Sequence, residues 1–137
     1  MGTILTDETY SIQSYPQGTR RALLINPPVY DAQYWARWSQ PAGLLRIATL
    51  LKKKGYHIDF VDCMETDVRG IVTKAHRYDS NGNSIVVKRD NITKPIYHFG
   101  LSLQELEKRL QGLQEPDEVW ITSIMTYWWE STRDVVA

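Results

Sequence analysis

The sequence predicts an α/β fold in which a parallel sheet carries helices on both faces. Three observations support this. The run Ala22-Leu23-Leu24-Ile25 is short and apolar and is stopped by Asn26-Pro27-Pro28, which reads as a buried strand running into a loop. A helical stripe, a glycine and the strand-like run His57-Ile58-Asp59-Phe60-Val61-Asp62 follow. Strand, helix and strand of these lengths form one right-handed crossover with parallel strands. The same grammar then returns once more, with a helix before Glu118-Val119-Trp120-Ile121-Thr122-Ser123.

Residues 1–20 are polar, with Pro16 and Gly18 near their end, and read as an irregular lead-in to a domain over 21–137. Strand one follows, and proline biases the residue before it toward extended geometry, so Asn26 is the last residue that can finish the strand. Residues 29–41, with Tyr30, Tyr34, Trp35 and Trp38, have little periodic order and predict a long aromatic loop. Pro41 can open a helix. Leu44, Ile47, Ala48 and Leu51 fall at i, i+3, i+4 and i+7, and Lys52, Lys53 and Lys54 suit the carbonyl end of that helix before Gly55 stops it.

Residues 64–101 break the pattern. Ile71-Val72-Thr73 and Ile85-Val86-Val87 flank a polar centre containing Asn81-Gly82, a strong turn signal. A hairpin over about 71–88, inserted on the rim of the sheet, is predicted. Ser102 and Glu105 have capping-box spacing, and Leu103, Leu106, Leu110 and Leu113 give the buried stripe of a second helix. Pro116 and Asp117 turn the chain into strand three. A third helix is expected from Tyr127, with Thr126 as its N-cap.

The chain has 137 residues, 42% hydrophobic and 23% charged, which suits one domain with a real core. Lys+Arg and Asp+Glu are both 16, so a broad electrostatic grip on nucleic acid or anionic lipid is not suggested. No apolar run is long enough to span a bilayer, and the N-terminus lacks a signal-peptide pattern. A cytoplasmic location is therefore expected. Cys63 is the only cysteine, which excludes an internal disulfide or a thiolate cluster built by this chain alone. Residues 69–94 hold six basic and two acidic side chains. Such an excess usually marks a solvated face, and a docking surface is the minority reading.

RALLINPPVYD followed by QPAGLLRIATLLKKKGYHIDFVDC resembles the N-terminal cobalamin-binding-type domain of radical S-adenosylmethionine proteins. KPIYHFGLSLQELEKRL and EVWITSIMTYWWESTRDVV resemble that family's basic insertion and its third strand with the following turn. The likeness covers roughly residues 21–137 and rests on the ordered set of motifs. It implies a three-layer, Rossmann-like/flavodoxin-like parallel sheet of order 2-1-3, incomplete here, with the hairpin inserted. It also implies an accessory role, holding a corrinoid or shaping the substrate side of a radical site. S-adenosylmethionine and a 4Fe-4S cluster would belong to a downstream radical domain, this chain's partner. The cobalamin-ligating pattern DxHxxG is absent, as is CxxxCxxC, so these residues alone are not expected to be catalytic.

In a sheet of that order, the loops leaving strands one and three part and open a crevice at the carboxyl ends. Its expected lining is Asn26, Pro27 and Pro28, facing Ser123, Met125, Thr126 and Tyr127, with Asp62 at the border. Helix three would add free amides that favour a phosphate or carboxylate. Plainer readings stand beside these. Thr126 reads first as a helix cap, Asp62 as a solvated strand-end carboxylate, and Cys63 as an inert buried residue. Trp120 is expected in the core. Trp128 and Trp129 point about 100° apart on a helix, so one of them should meet another domain.

The competing function is a docking module without a cofactor, meeting its partner through Trp35, Trp38, Trp128 and the basic hairpin. A third reading, an independent nucleotide or phospho-ligand binder, is disfavoured by the missing glycine-rich loop. Strand three would carry an unpaired edge, for which self-association or cover by the lead-in is expected.

Overall fold

The computed structural model describes residues 20–33, 40–123 and 128–137. At its centre is β1 (Arg21–Asn26), which pairs in parallel with β3 (His57–Asp62) on one side and β8 (Glu118–Ile121) on the other. Alternation along β1 sends Ala22 and Leu24 to one face, where Leu44 and Leu51 of α1 (Ala42–Lys53) cover them. Leu23 and Ile25 face the other way, against Val61, Cys63 and Leu106 of α2 (Leu103–Gln111). A strand buried on both faces must be apolar almost throughout, which is why β1 reads as an unbroken hydrophobic run. The fold is thus mixed α/β, with a three-stranded parallel sheet between helices.

The helix signals act as their chemistry requires. Pro41 takes the N-cap position of α1, Lys52 and Lys53 occupy its last turn, and Gly55 follows at φ 92°. Ser102 and Glu105 close a reciprocal capping box on α2. Leu103 is exposed, while Leu106 is buried and Leu110 and Leu113 pack beside it.

The segment between β3 and α2 differs from the single inserted hairpin expected over 71–88. Ile71-Val72-Thr73 is not a strand: the Asp67 carboxylate accepts the amides of Arg69 (2.8 Å) and Ile71 (3.0 Å), and Gly70 turns at φ 77°. β4 (Lys74–His76) and β7 (Tyr97–Phe99) instead form an antiparallel sheet with β2 (Val29–Asp31), in the order β2-β7-β4. The part of the expected aromatic loop at Val29–Asp31 is therefore a strand. Asn81-Gly82 does turn the chain, inside a bridge between Tyr78 and Ser84. A second, tighter turn at Asp90-Asn91, with φ 50° and 63°, joins β5 (Val86–Arg89) to β6 (Ile92–Pro95). Left-handed geometry at both central residues is what a two-residue hairpin needs, and Asp and Asn tolerate it.

Strand three is shorter than expected and ends at Ile121. Among the described residues β8 pairs only with β1. Trp120 is accordingly 37% exposed and does not belong to the core. α3 (Trp129–Val136) starts later than the sequence suggested, with Trp128 at its N-cap position. Of the adjacent tryptophans, Trp128 is buried and Trp129 is 56% exposed. Residues 1–19, Tyr34, Trp35 and Trp38, and the proposed cap Thr126, lie outside the described residues.

Candidate functional site

The register pairs Asn26 with Asp62 at the carboxyl ends of β1 and β3. Asn26 Nδ2 donates to Asp62 Oδ1 at 2.8 Å, and the Met64 amide donates to the same oxygen at 2.9 Å. The Cys63 amide donates to the Asn26 carbonyl at 2.9 Å, continuing the ladder one residue beyond the strands. Two donors on Oδ1 fix the carboxylate, and Oδ2 carries no hydrogen bond among the described residues. Pro27 and Pro28 end β1 here because neither has an amide hydrogen to extend the ladder.

These strand ends open on a cavity of about 440 Å³. Five residues singled out from sequence line it together: Asn26, Pro27, Pro28, Asp62 and Ser123. Met125, Thr126 and Tyr127 lie outside the described residues. Sequence reasoning missed the far wall, formed by Glu65, Thr66, Gly70 and Val72 from the loop after β3, by the N-cap residue Trp128, and by Ser131 and Thr132 of α3. Two adjacent hydroxyl residues one turn inside a predicted helix, Ser131-Thr132, were the available signal.

α3 is pinned over the cavity by two long-range bonds. Trp128 Nε1 donates to Asp31 Oδ2 at 3.0 Å, and the Tyr30 hydroxyl donates to Asp134 Oδ2 at 2.8 Å. Burial, then the bond to Asp134, pushes the Tyr30 phenol well above its ordinary value, so it remains a donor. Arg77 lies 3.9 Å over the Tyr30 ring and ties the small sheet to the same post.

The polar groups of the cavity differ in how far they are satisfied. Ser131 Oγ donates to the Trp128 carbonyl at 2.8 Å. Thr132 Oγ1 is buried and has no hydrogen-bond partner among the described residues. Glu65 pairs with Arg109 of α2. No Lys or Arg stands among the described lining residues.

Cys63, next to Asp62, is fully buried, and burial followed by the Asp62 charge pushes its thiol up to about 12. It is a packing residue rather than a nucleophile. The histidines stand away from the cavity lining. His57 opens β3 at the opposite end of the sheet, His76 lies in β4, and His98 Nε2 is 2.7 Å from the Leu101 carbonyl. Among the described residues no group of three or more His, Cys, Asp or Glu is placed to hold a metal, and no helix is long and apolar enough to cross a membrane.

Fold and cavity together define a class: an α/β domain with a ligand-sized crevice at the carboxyl ends of its parallel strands. No family model, curated protein or solved structure matches the chain.

Proposed function

We propose that this chain is an accessory, cobalamin-binding-like domain of a radical S-adenosylmethionine enzyme. It holds a corrinoid or shapes the substrate side of the radical site, in a cytoplasmic protein. On this reading β3, β1 and β8 are the first strands of a Rossmann-like/flavodoxin-like sheet of order 2-1-3, with the crevice at its switch point. The supporting observation is the convergence of Asn26-Pro27-Pro28, Asp62 and Ser123 on one cavity of about 440 Å³, a volume in the range of small-molecule sites.

The donor set fits the edge of a corrinoid and not its metal. Asn26, Asp62 and Thr132 offer hydrogen bonds to the macrocycle's polar periphery, while no described lining residue is a histidine. When bound, the corrinoid would supply cobalt-centred methyl transfer. The chain's own residues would orient it through that periphery, and Pro27, Pro28 and Val72 would keep water out. S-adenosylmethionine and the 4Fe-4S cluster belong, on this reading, to the downstream radical domain.

Desalting the purified chain after incubation with hydroxocobalamin tests the proposal. Retained corrinoid absorbance, lost in Asp62→Lys, is expected. A colourless protein refutes the holding role.

One observation favours a second reading, a docking module with no cofactor of its own. The β5–β6 ribbon is exposed along almost its whole length: Val86, Val87 and Ile92 face solvent, and Lys88, Arg89 and Lys94 make no ion pair among the described residues. A two-stranded ribbon is marginal alone in water, and contact with the downstream domain would stabilise it. Trp128, expected on this surface from sequence, is buried and cannot contribute, whereas Trp129 is exposed. Alanine at Lys88, Arg89 and Ile92 should abolish association with the downstream domain and leave the fold intact. Unchanged association removes this reading.

A further inference from the structure

We infer that the crevice grips an uncharged, donor-bearing edge of its ligand, made of carboxamide or hydroxyl groups, and disfavours a phosphate. The inference rests on the reading of this cavity as a ligand site and names the chemistry it selects. Asp62 is its anchor. With Oδ1 held by Asn26 Nδ2 at 2.8 Å and by the Met64 amide at 2.9 Å, the remaining oxygen is an oriented acceptor with no bond among the described residues. Asn26 commits one of its two amide hydrogens to that bond. A second, independent group points the same way: Thr132 also lines the cavity, and its buried Oγ1 has no partner among the described residues. An unmade bond of this kind is costly when water is excluded, and a ligand group supplies it.

The charges of the described lining residues oppose an anion. Asp62 and Glu65 are both in the lining, Glu65 is answered by Arg109, and no described lining residue carries positive charge to answer Asp62. The amino end of α3 contributes about half a positive charge, but Glu130 already stands in its first turn. The helix-end argument for phosphate drawn from sequence therefore meets an opposing carboxylate. A phosphate here would face the Asp62 charge, whereas an N–H or O–H donor would form a charge-assisted bond with it. In a corrinoid, the carboxamide arms of the ring meet this description and the phosphodiester tail does not.

The test compares cobinamide, which keeps the carboxamides and lacks the phosphate, with cobalamin, by titration of the purified chain followed by visible absorbance. Cobinamide is expected to bind at least as tightly as cobalamin. Asp62→Asn should weaken cobinamide about tenfold or more, the size of a lost charge-assisted bond, and Thr132→Val should weaken it severalfold without loss of fold. Cobalamin binding tenfold tighter than cobinamide, or improving in Asp62→Asn, overturns the inference and leaves the corrinoid reading standing. Binding of neither overturns the corrinoid reading instead. A parallel titration with inorganic phosphate, followed through the Asn26 side-chain amide by NMR, then decides the inference alone. No shift supports it, and a saturating shift refutes it.

Discussion

Replacing Gly100 with alanine should remove a large share of the protein's stability, and the size of the effect follows from three distances. Gly100 is buried at φ 101°, where a side chain is rarely tolerated, and holding a non-glycine residue in such a region costs about 1–3 kcal/mol. A Cβ built there lies 2.3 Å from the Cys63 carbonyl oxygen, 3.0 Å from Met64 Sδ and 3.1 Å from the Cys63 carbonyl carbon. The thioether can swing aside. The carbonyl cannot, because it accepts the Leu101 amide at 2.8 Å and leads the chain out of β3. Relief therefore requires breaking that buried bond, at about 1–3 kcal/mol more.

The two costs together come to about 2–6 kcal/mol, a large fraction of a typical domain's stability of about 5–15 kcal/mol. Urea unfolding followed by tryptophan fluorescence measures it. Gly43→Ala is the internal control. Nothing lies within 4 Å of a Cβ at that position in α1, so it should be neutral or stabilising by up to about 1 kcal/mol. Because Met64 lines the cavity, Gly100→Ala should also weaken ligand binding under conditions where it stays folded. A Gly100→Ala protein within about 0.5 kcal/mol of the wild type would refute the close approach of β7 to the end of β3.

Cys63 should resist alkylation in the native protein at mildly alkaline pH and react fully in denaturant, since its raised pKa and burial leave almost no accessible thiolate; fast native labelling would contradict its placement. Acid should weaken the sheet through Glu118, whose carboxyl is held below its ordinary value of 4.5 by the Tyr56 hydroxyl at 2.6 Å and by Arg20 at 2.8 Å. A depressed carboxylate contributes stability above its unfolded value and loses it as pH falls through the folded one. The urea midpoint should therefore drop below about pH 4.5 more steeply in the wild type than in Glu118→Gln, and parallel profiles would remove this role. The edge of β8, unpaired among the described residues, should drive self-association, seen as a light-scattering mass that rises with concentration and no longer does so in Val119→Lys. A monomer at every concentration would show the edge needs no partner.

Elements built from local periodicity were legible in the sequence. β1 announces itself by an unbroken apolar run closed by two prolines, and α1 and α2 by leucines at helical spacing with their own start and stop residues. The same local signals brought Asn26, Pro27, Pro28, Asp62 and Ser123 to one cavity, because residues that end parallel neighbouring strands must meet.

Features set by distant partners were not legible. Val29–Asp31 is a strand only because Tyr97–Phe99 pairs with it nearly seventy residues later. Asn81-Gly82 is the stronger turn signal in the sequence, yet the tighter hairpin closes at Asp90-Asn91, whose two residues are both left-handed. Trp120 looked like core because a tryptophan in a central strand would be, but β8 is paired on one side only among the described residues. Thr132 and Ser131 join the site through the tilt of α3, which depends on the bonds Tyr30–Asp134 and Trp128–Asp31. Bonds across about a hundred residues leave no trace in local pattern.

The most direct test of a ligand site at the strand ends is an amide and side-chain NMR map of the labelled chain during titration with cobinamide. Saturating shifts gathered at Asn26, Met64, Thr122 and Thr132, with the Val86–Pro95 ribbon unmoved, are the predicted result. Shifts confined to the ribbon, or none at any concentration, would contradict it.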